Sequence, residues 1–166
     1  LPSLLAAVSG KIFYEKLQVV DYIDAYHLGL VLLWLLFIVH FYVRLSELHG
    51  VRLAMLATIL LALAPRVVAH VPNNMKDIPA MAFATAGLLE LAIAITQKRP
   101  RRIYWTALFV ACAMSSKFVA GIVAVPGALL VYLGLRDGRL IPYIPRPYLI
   151  PLSCIPVATA VLFVAH

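Results

Sequence analysis

Residues 26–45 read YHLGLVLLWLLFIVHFYVRL. After His27 at its start, only His40 and the terminal Arg44 interrupt an otherwise apolar run. About 20 apolar residues in a helix cross the roughly 30 Å hydrocarbon core of a bilayer. The run therefore reads as a membrane span, and five more can be laid out on the C-terminal side of it. Val51 to His70 is apolar as far as Pro65, and Ile78 to Thr96 is interrupted by Glu90. Ile103 to Ser116 is a short run, separated only by Lys117 from Phe118 to Leu135; Leu149 to Ala165 is the last. The expected fold is all-α, a polytopic membrane protein of about six transmembrane helices.

Composition agrees. The chain has 166 residues, of which 64% are hydrophobic and 13% charged. Its mean hydropathy is +0.98. Soluble domains are about 45–50% apolar and about 25% charged. A chain of this size could not hide so much apolar surface from water, which excludes a soluble globule and a disordered chain. Eleven prolines and eight glycines argue against one smooth coiled coil. Cys112 and Cys154 sit in apolar runs and read as small core residues, not as a disulfide framework or a zinc site. Residue 1 is Leu, and no charged n-region with a short apolar core marks a signal peptide. The chain is expected to be a piece of something longer, or a processed product. No internal repeat and no soluble domain is visible, so residues 1–166 read as a single transmembrane domain.

Residues 1–25 are less apolar and carry Lys11, Glu15, Lys16, Asp21 and Asp24. On a helical wheel Leu5, Val8, Ile12, Val19 and Ile23 share a face, the pattern of an amphipathic helix lying on a membrane. The formal net charge is +7. The basic residues sit mostly at the ends of apolar runs, which is a topology signal and not a nucleic-acid surface. Alternating spans put Arg44, Arg52, Lys98, Arg99, Arg101, Arg102, Arg136, Arg139 and Arg146 on one side. Lys11, Lys16, Arg66, Lys76 and Lys117 fall on the other. The first, richer side is expected to be cytoplasmic, and the second to face the periplasm, the exterior or an organelle lumen.

Three outer features could carry chemistry. The loop PRVVAHVPNNMKDIP, residues 65–79, holds Arg66, His70, Asn73, Asn74, Lys76 and Asp77. Three prolines stiffen it, Asn73-Asn74 suits a turn, and Asp77 could cap the next helix. As a structural element it is a turn with interface-anchoring charges. As a site, Lys76, Arg66 and His70 offer cationic donors beside a carboxylate, a set able to hold a phosphate and activate a hydroxyl. Lys117, at the tip after Ser115-Ser116, is either a snorkelling side chain or an anion ligand facing a cavity. Asp21, Asp24 and His27 precede the first span and suit a hydrated helix start. Inside spans, His40 and Glu90 are either functional groups or buried groups bonded to a neighbouring helix.

With these segments laid out, the chain resembles the GT-C class of polytopic glycosyltransferases, and more narrowly the protein O-mannosyltransferases and lipid A aminoarabinose transferases. LPSLLAAVSGKIFYE (1–15) looks like the family's juxtamembrane helix. DAYHLGLVLLWLLF (24–37) looks like the start of its second membrane helix, where a His near the outer surface recurs. NNMKDIPAMAF (73–83) is similar to an N-x-K-D-x-P-x-x-x-F pattern of bacterial members. AMSSKFVAGIVAVPGALL (113–130) resembles the family's Thr-Lys hairpin, with Ser116-Lys117 where Thr-Lys is usual. The resemblance covers most of 1–135, carried by the order and spacing of the four stretches.

It implies transfer of a sugar from a polyprenyl-phosphate-linked donor to an acceptor on the outer or lumenal face. The enzyme would sit in a bacterial inner membrane or the endoplasmic reticulum. Lys117 inherits a place beside the lipid phosphate, with Lys76, Arg66, His70, Asn74 and His27 as further substrate-binding candidates. Asp77 is the candidate catalytic carboxylate. The family's principal carboxylate would lie upstream of residue 1, in a first outer loop. Some enzymes of the class use a divalent metal, although no ligand cluster of suitable spacing appears in this sequence. The expected partners are the lipid-linked sugar and membrane lipid, not nucleic acid. The main alternative is a transporter or flippase for an anionic lipid or small solute, which would also want prolines, short hairpins and intramembrane charges. A third is a structural membrane subunit.

Overall fold

A computed structural model describes residues 2–117. The runs at 118–135 and 149–165, with Cys154, Arg136, Arg139 and Arg146, lie outside the described residues. Within them the chain is helical, with no strand. Helix α1 (Pro2–Ser9) leads into a π-helical segment (Gly10–Lys16). Then come α2 (Tyr22–His49), α3 (Val51–Ala62), α4 (Pro65–His70), α5 (Asp77–Thr96) and α6 (Arg102–Ser116).

Helix α2, at 28 residues, is about 42 Å long at 1.5 Å per residue. It exceeds the bilayer core, so its charged ends extend past the apolar middle. Asp21 and Asp24 occupy the positive end of its dipole. Gly50, with φ +85°, stops it, and α3 begins at the very next residue. Only a residue without a Cβ takes that conformation at no cost. Helix α5, at 20 residues, matches the core thickness. These two are the described helices long and apolar enough to cross a membrane.

The expected span at 51–70 is not one helix. Pro65 forces Ala64 to ψ +113° and takes the first position of α4, because a residue before proline is pushed out of the helical region. Twelve residues of α3 reach only about 18 Å.

Contacts fix the directions. Trp34 and Phe37 of α2 pack with Ile78 and Ala82 of α5, and Arg44 meets Glu90 further along both helices. Helices α2 and α5 therefore run parallel. Parallel neighbours need a return crossing, and residues 50–76 supply it as α3, α4 and their turns. Helix α6 runs back antiparallel along α5, from Arg102 beside Glu90 to Lys117 beside Asp77.

Helix α5 is the centre. Ala80, Ala82, Ala84, Ala86 and Gly87 are all buried, and small residues let helix backbones approach where burial from lipid supplies no hydrophobic gain. At Gly87 an added Cβ would come within 3.2 Å of Val110 on α6. The outward face of α2, by contrast, presents Leu32, Leu35, Leu36, Val39 and Val43. These recur at three- and four-residue spacing on one face. A large exposed apolar stripe suits lipid and not water.

The N-terminal segment is helical but divided. Leu17 N–H donates to Ile12 O, the wide five-residue bond of a π-turn, and the helical run ends at Lys16. Its small face, Ala6, Ser9 and Gly10, is buried. Ser9 Oγ lies 3.5 Å from the Tyr26 carbonyl of α2. Val8, Ile12, Val19 and Ile23 of the apolar face remain exposed.

Candidate functional site

The two ends of the bundle carry different charge chemistry. At the end where α5 begins and α6 stops, Lys117 Nζ donates to Asp77 Oδ1. Asn74 holds the same carboxylate in two ways. Its Nδ2 donates to Asp77 Oδ2 at 2.9 Å, and its Oδ1 accepts the Asp77 backbone N–H at 2.9 Å. The second bond satisfies one of the orphan donors of the α5 N-terminus. The cap of α5 is thus supplied by Asn74, where Asp77 itself had been expected to cap.

This placement has a structural cause. Val67 of α4 and Val71 beyond it, four residues apart, pack onto the core built from Trp34, Phe37, Ile78 and Ala82. Asn73 and Asn74 N–H both donate to the His70 carbonyl, which closes α4 and starts the turn. The loop is pinned to the bundle at Val71 and closed by the Asn74–Asp77 contacts. The α6 terminus delivers Lys117 from the other side. Asp77 and Lys117 remain about half exposed, so both can meet a ligand.

The structure thus unites Asp77, Lys117 and Asn74. His70 lies within electrostatic reach of the same carboxylate. Arg66 and Lys76 are exposed on the same loop and form no ion pair among the described residues. His27 sits on α2 roughly five residues beyond the level of Asp77. Its Nδ1 is buried without a hydrogen-bond partner, and its ring meets the edge of Tyr26. No direct contact ties it to the pair. Near the start of α2, Glu15, Asp21 and Asp24 line a polar cleft of about 660 Å³. Among the described residues no group of three His, Cys, Asp or Glu could hold a metal ion.

At the opposite end lies a network that composition and spacing did not assemble. Glu90, 1% exposed, accepts from Arg44 Nε at 2.7 Å and from Arg102 Nη1 at 3.0 Å. His40 Nε2 is 3.5 Å from Glu90 Oε1 but makes no hydrogen bond there. Glu47 pairs with Arg44 and approaches Arg102 and Arg99 at 3.7 Å. Gln97 Nε2 donates to the Glu47 carbonyl. Of the two readings open for Glu90, the structure takes the one in which it bonds to neighbouring helices. The missing signal was depth: a carboxylate in a span requires cations at its own level, and Arg44 and Arg102 were legible only as end markers. Just outward of this network an apolar pocket of about 280 Å³ is lined by His40, Phe83 and Phe109 among others.

No curated protein and no solved structure matches the chain. Residues 4–163, nearly its whole length, match a family described as dolichyl-phosphate-mannose-protein mannosyltransferase. With an all-helical bundle whose outward faces are apolar, the match leads to one conclusion: the chain belongs to this family of integral membrane glycosyltransferases of the mannosyltransferase type.

Proposed function

We propose that the Asp77–Lys117 end of the bundle binds the phosphate of a polyprenyl-phosphate-linked sugar donor. It would do so on the periplasmic, exterior or lumenal face, for transfer of the sugar to an acceptor. The observation that carries this reading is the ion pair between the α6 terminus and the α4–α5 loop. It gathers a cation, a carboxylate and a positioning amide at one exposed place, with Arg66, Lys76 and His70 on the same loop. The family description names a dolichyl-phosphate-mannose donor and a protein acceptor, which supports this class of donor. Residues 1–166 are read as one membrane domain of such an enzyme.

In the transfer, the acceptor oxygen attacks the anomeric carbon while the bond from that carbon to the phosphate oxygen breaks. The lipid phosphate leaves with the electron pair, and a carboxylate takes the acceptor proton. An ammonium has three donors. Lys117 gives one to Asp77 and keeps two for phosphate oxygens, so it can stabilise the charge of the leaving group as it develops. Asp77, held by Asn74, contributes to orienting the acceptor.

The test is binding of a polyprenyl phosphate and of the neutral polyprenol to wild type and Lys117→Ala. Loss of a hydrogen bond to a charged group costs about 1.5–3 kcal/mol. The phosphate ligand should weaken by that amount, and the polyprenol should be scarcely affected. Equal weakening of both ligands would make Lys117 a packing residue and would reject the assignment.

A further inference from the structure

Among the described residues, the end of the bundle away from the proposed transfer site carries more positive charge than its carboxylates balance. The chain segments 44–52 and 90–102 contain Arg44, Arg52, Lys98, Arg99, Arg101 and Arg102 but only two acids, Glu47 and Glu90. Arg44 and Arg102 are committed to those acids at short range. Arg99 reaches Glu47 only at 3.7 Å and is 56% exposed. Arg52 and Arg101 are exposed as well.

The backbone that presents these side chains is fixed. Lys98 takes φ +55°, and Arg99 N–H donates back to the Ala94 carbonyl at 3.1 Å. This is the closed C-terminal turn of a helix. Arg102 N–H then donates to the Arg99 carbonyl at 3.0 Å and starts α6. One turn into α6, Tyr104 and Trp105 are exposed at 44% and 51%. Exposed Tyr and Trp on membrane helices settle at the headgroup level. They place the basic turn at the depth of lipid phosphates.

We propose that the α5–α6 turn, through Arg99 and Arg101, is a binding surface for the headgroups of acidic phospholipids. The recognised chemistry is a phosphodiester with net negative charge, which a guanidinium grips through paired N–H donors. A zwitterionic headgroup offers the same phosphate, but its own cation is repelled by the surplus. The surface is independent of the transfer site, and its failure would leave that reading untouched.

The test uses the chain's two tryptophans. Trp34 is buried and Trp105 exposed, so lipids brominated near the top of their acyl chains quench chiefly Trp105. The protein is reconstituted in phosphatidylcholine vesicles with rising fractions of brominated phosphatidylglycerol, or of brominated phosphatidylcholine. Phosphatidylglycerol should reach half-maximal quenching at a several-fold lower mole fraction, and added salt should narrow the gap. In the double variant Arg99→Gln, Arg101→Gln the preference should be lost. Equal mole fractions for the two lipids in the wild type would overturn the proposal, and that comparison requires no variant to fold. Retention of the preference in the folded double variant would overturn it too.

Discussion

Asp77 is the residue on which the proposed transfer site turns. One of its oxygens faces Lys117 and the other Asn74. Its backbone N–H is capped by the Asn74 oxygen. Asp77→Asn keeps the volume and the cap but removes the charge. If the carboxylate orients or deprotonates the acceptor, transfer should fall by on the order of 10²–10⁴-fold, the range for general acid–base catalysis. Donor affinity should hold, because Lys117 retains its charge. Steady-state transfer and donor binding measured side by side check this. A loss of donor affinity equal to that of Lys117→Ala would reduce Asp77 to a support for the lysine. Asn74→Ala removes the cap, worth about 1 kcal/mol, as well as the second grip on the carboxylate. It should lower the turnover rate more than it raises KM for the lipid donor.

At the scale of helices, one contact of small residues and one buried charge hold the arrangement. Helix α1 meets α2 where an added Cβ at Gly29 would come within 2.7 Å of Ser9 Oγ and 3.1 Å of the Leu5 carbonyl. A backbone oxygen cannot step aside as a flexible side chain can. Gly29→Ala should loosen α1 at about 1–3 kcal/mol, the usual cost of overpacking. Hydrogen exchange should quicken in residues 2–9 and stay unchanged in α5 and α6. Equal protection of α1 in both proteins would show that the contact relaxes freely. The second device is Glu90, which ties α2 and α6 to α5. Glu90→Ala leaves two arginines beside an empty carboxylate position, and unpairing a buried charge costs about 3–5 kcal/mol. The helical fraction surviving a denaturing-detergent titration should drop accordingly. Pro65 was legible as the end of an apolar run, although the expected span runs across it to His70, and Glu90 was legible as functional or as bonded to a neighbouring helix. Its partners were not legible. A one-dimensional pattern gives the depth of a residue along its own helix but not which helices run side by side. The parallel packing of α2 and α5 brings residue 44 to the level of residue 90. The Ser9–Gly29 contact was hidden for a related reason, because small residues leave no periodic signal.

For the whole molecule, the polarity of the bundle is the property from which function follows. Alternating spans put the 65–79 loop and Lys117 on one side, and the Asp77–Lys117 pair joins them there. The same logic collected Arg44, Arg99 and Arg102 at the other end, where Glu47 and Glu90 join them. The assignment of these ends to sides of the membrane rests on the basic excess, because Lys and Arg near span ends are retained in the cytoplasm. Cysteine labelling tests it in a background without Cys112 and Cys154. Asn73 and Arg101 are exposed at opposite ends of the bundle, and neither contributes a side chain to the Asp77–Lys117 contact. In intact cells or sealed microsomes, a membrane-impermeant maleimide should reach the two introduced cysteines from opposite sides. Asn73→Cys should react from the periplasmic, exterior or lumenal face, and Arg101→Cys from the cytoplasmic face. Reaction of both from one side would break the crossing that α5 is required to make. Opposite sides in the reverse sense would keep the bundle but put Lys117 in the cytoplasm. The donor phosphate would then have to be bound on the cytoplasmic leaflet, and the proposed direction of transfer would be wrong.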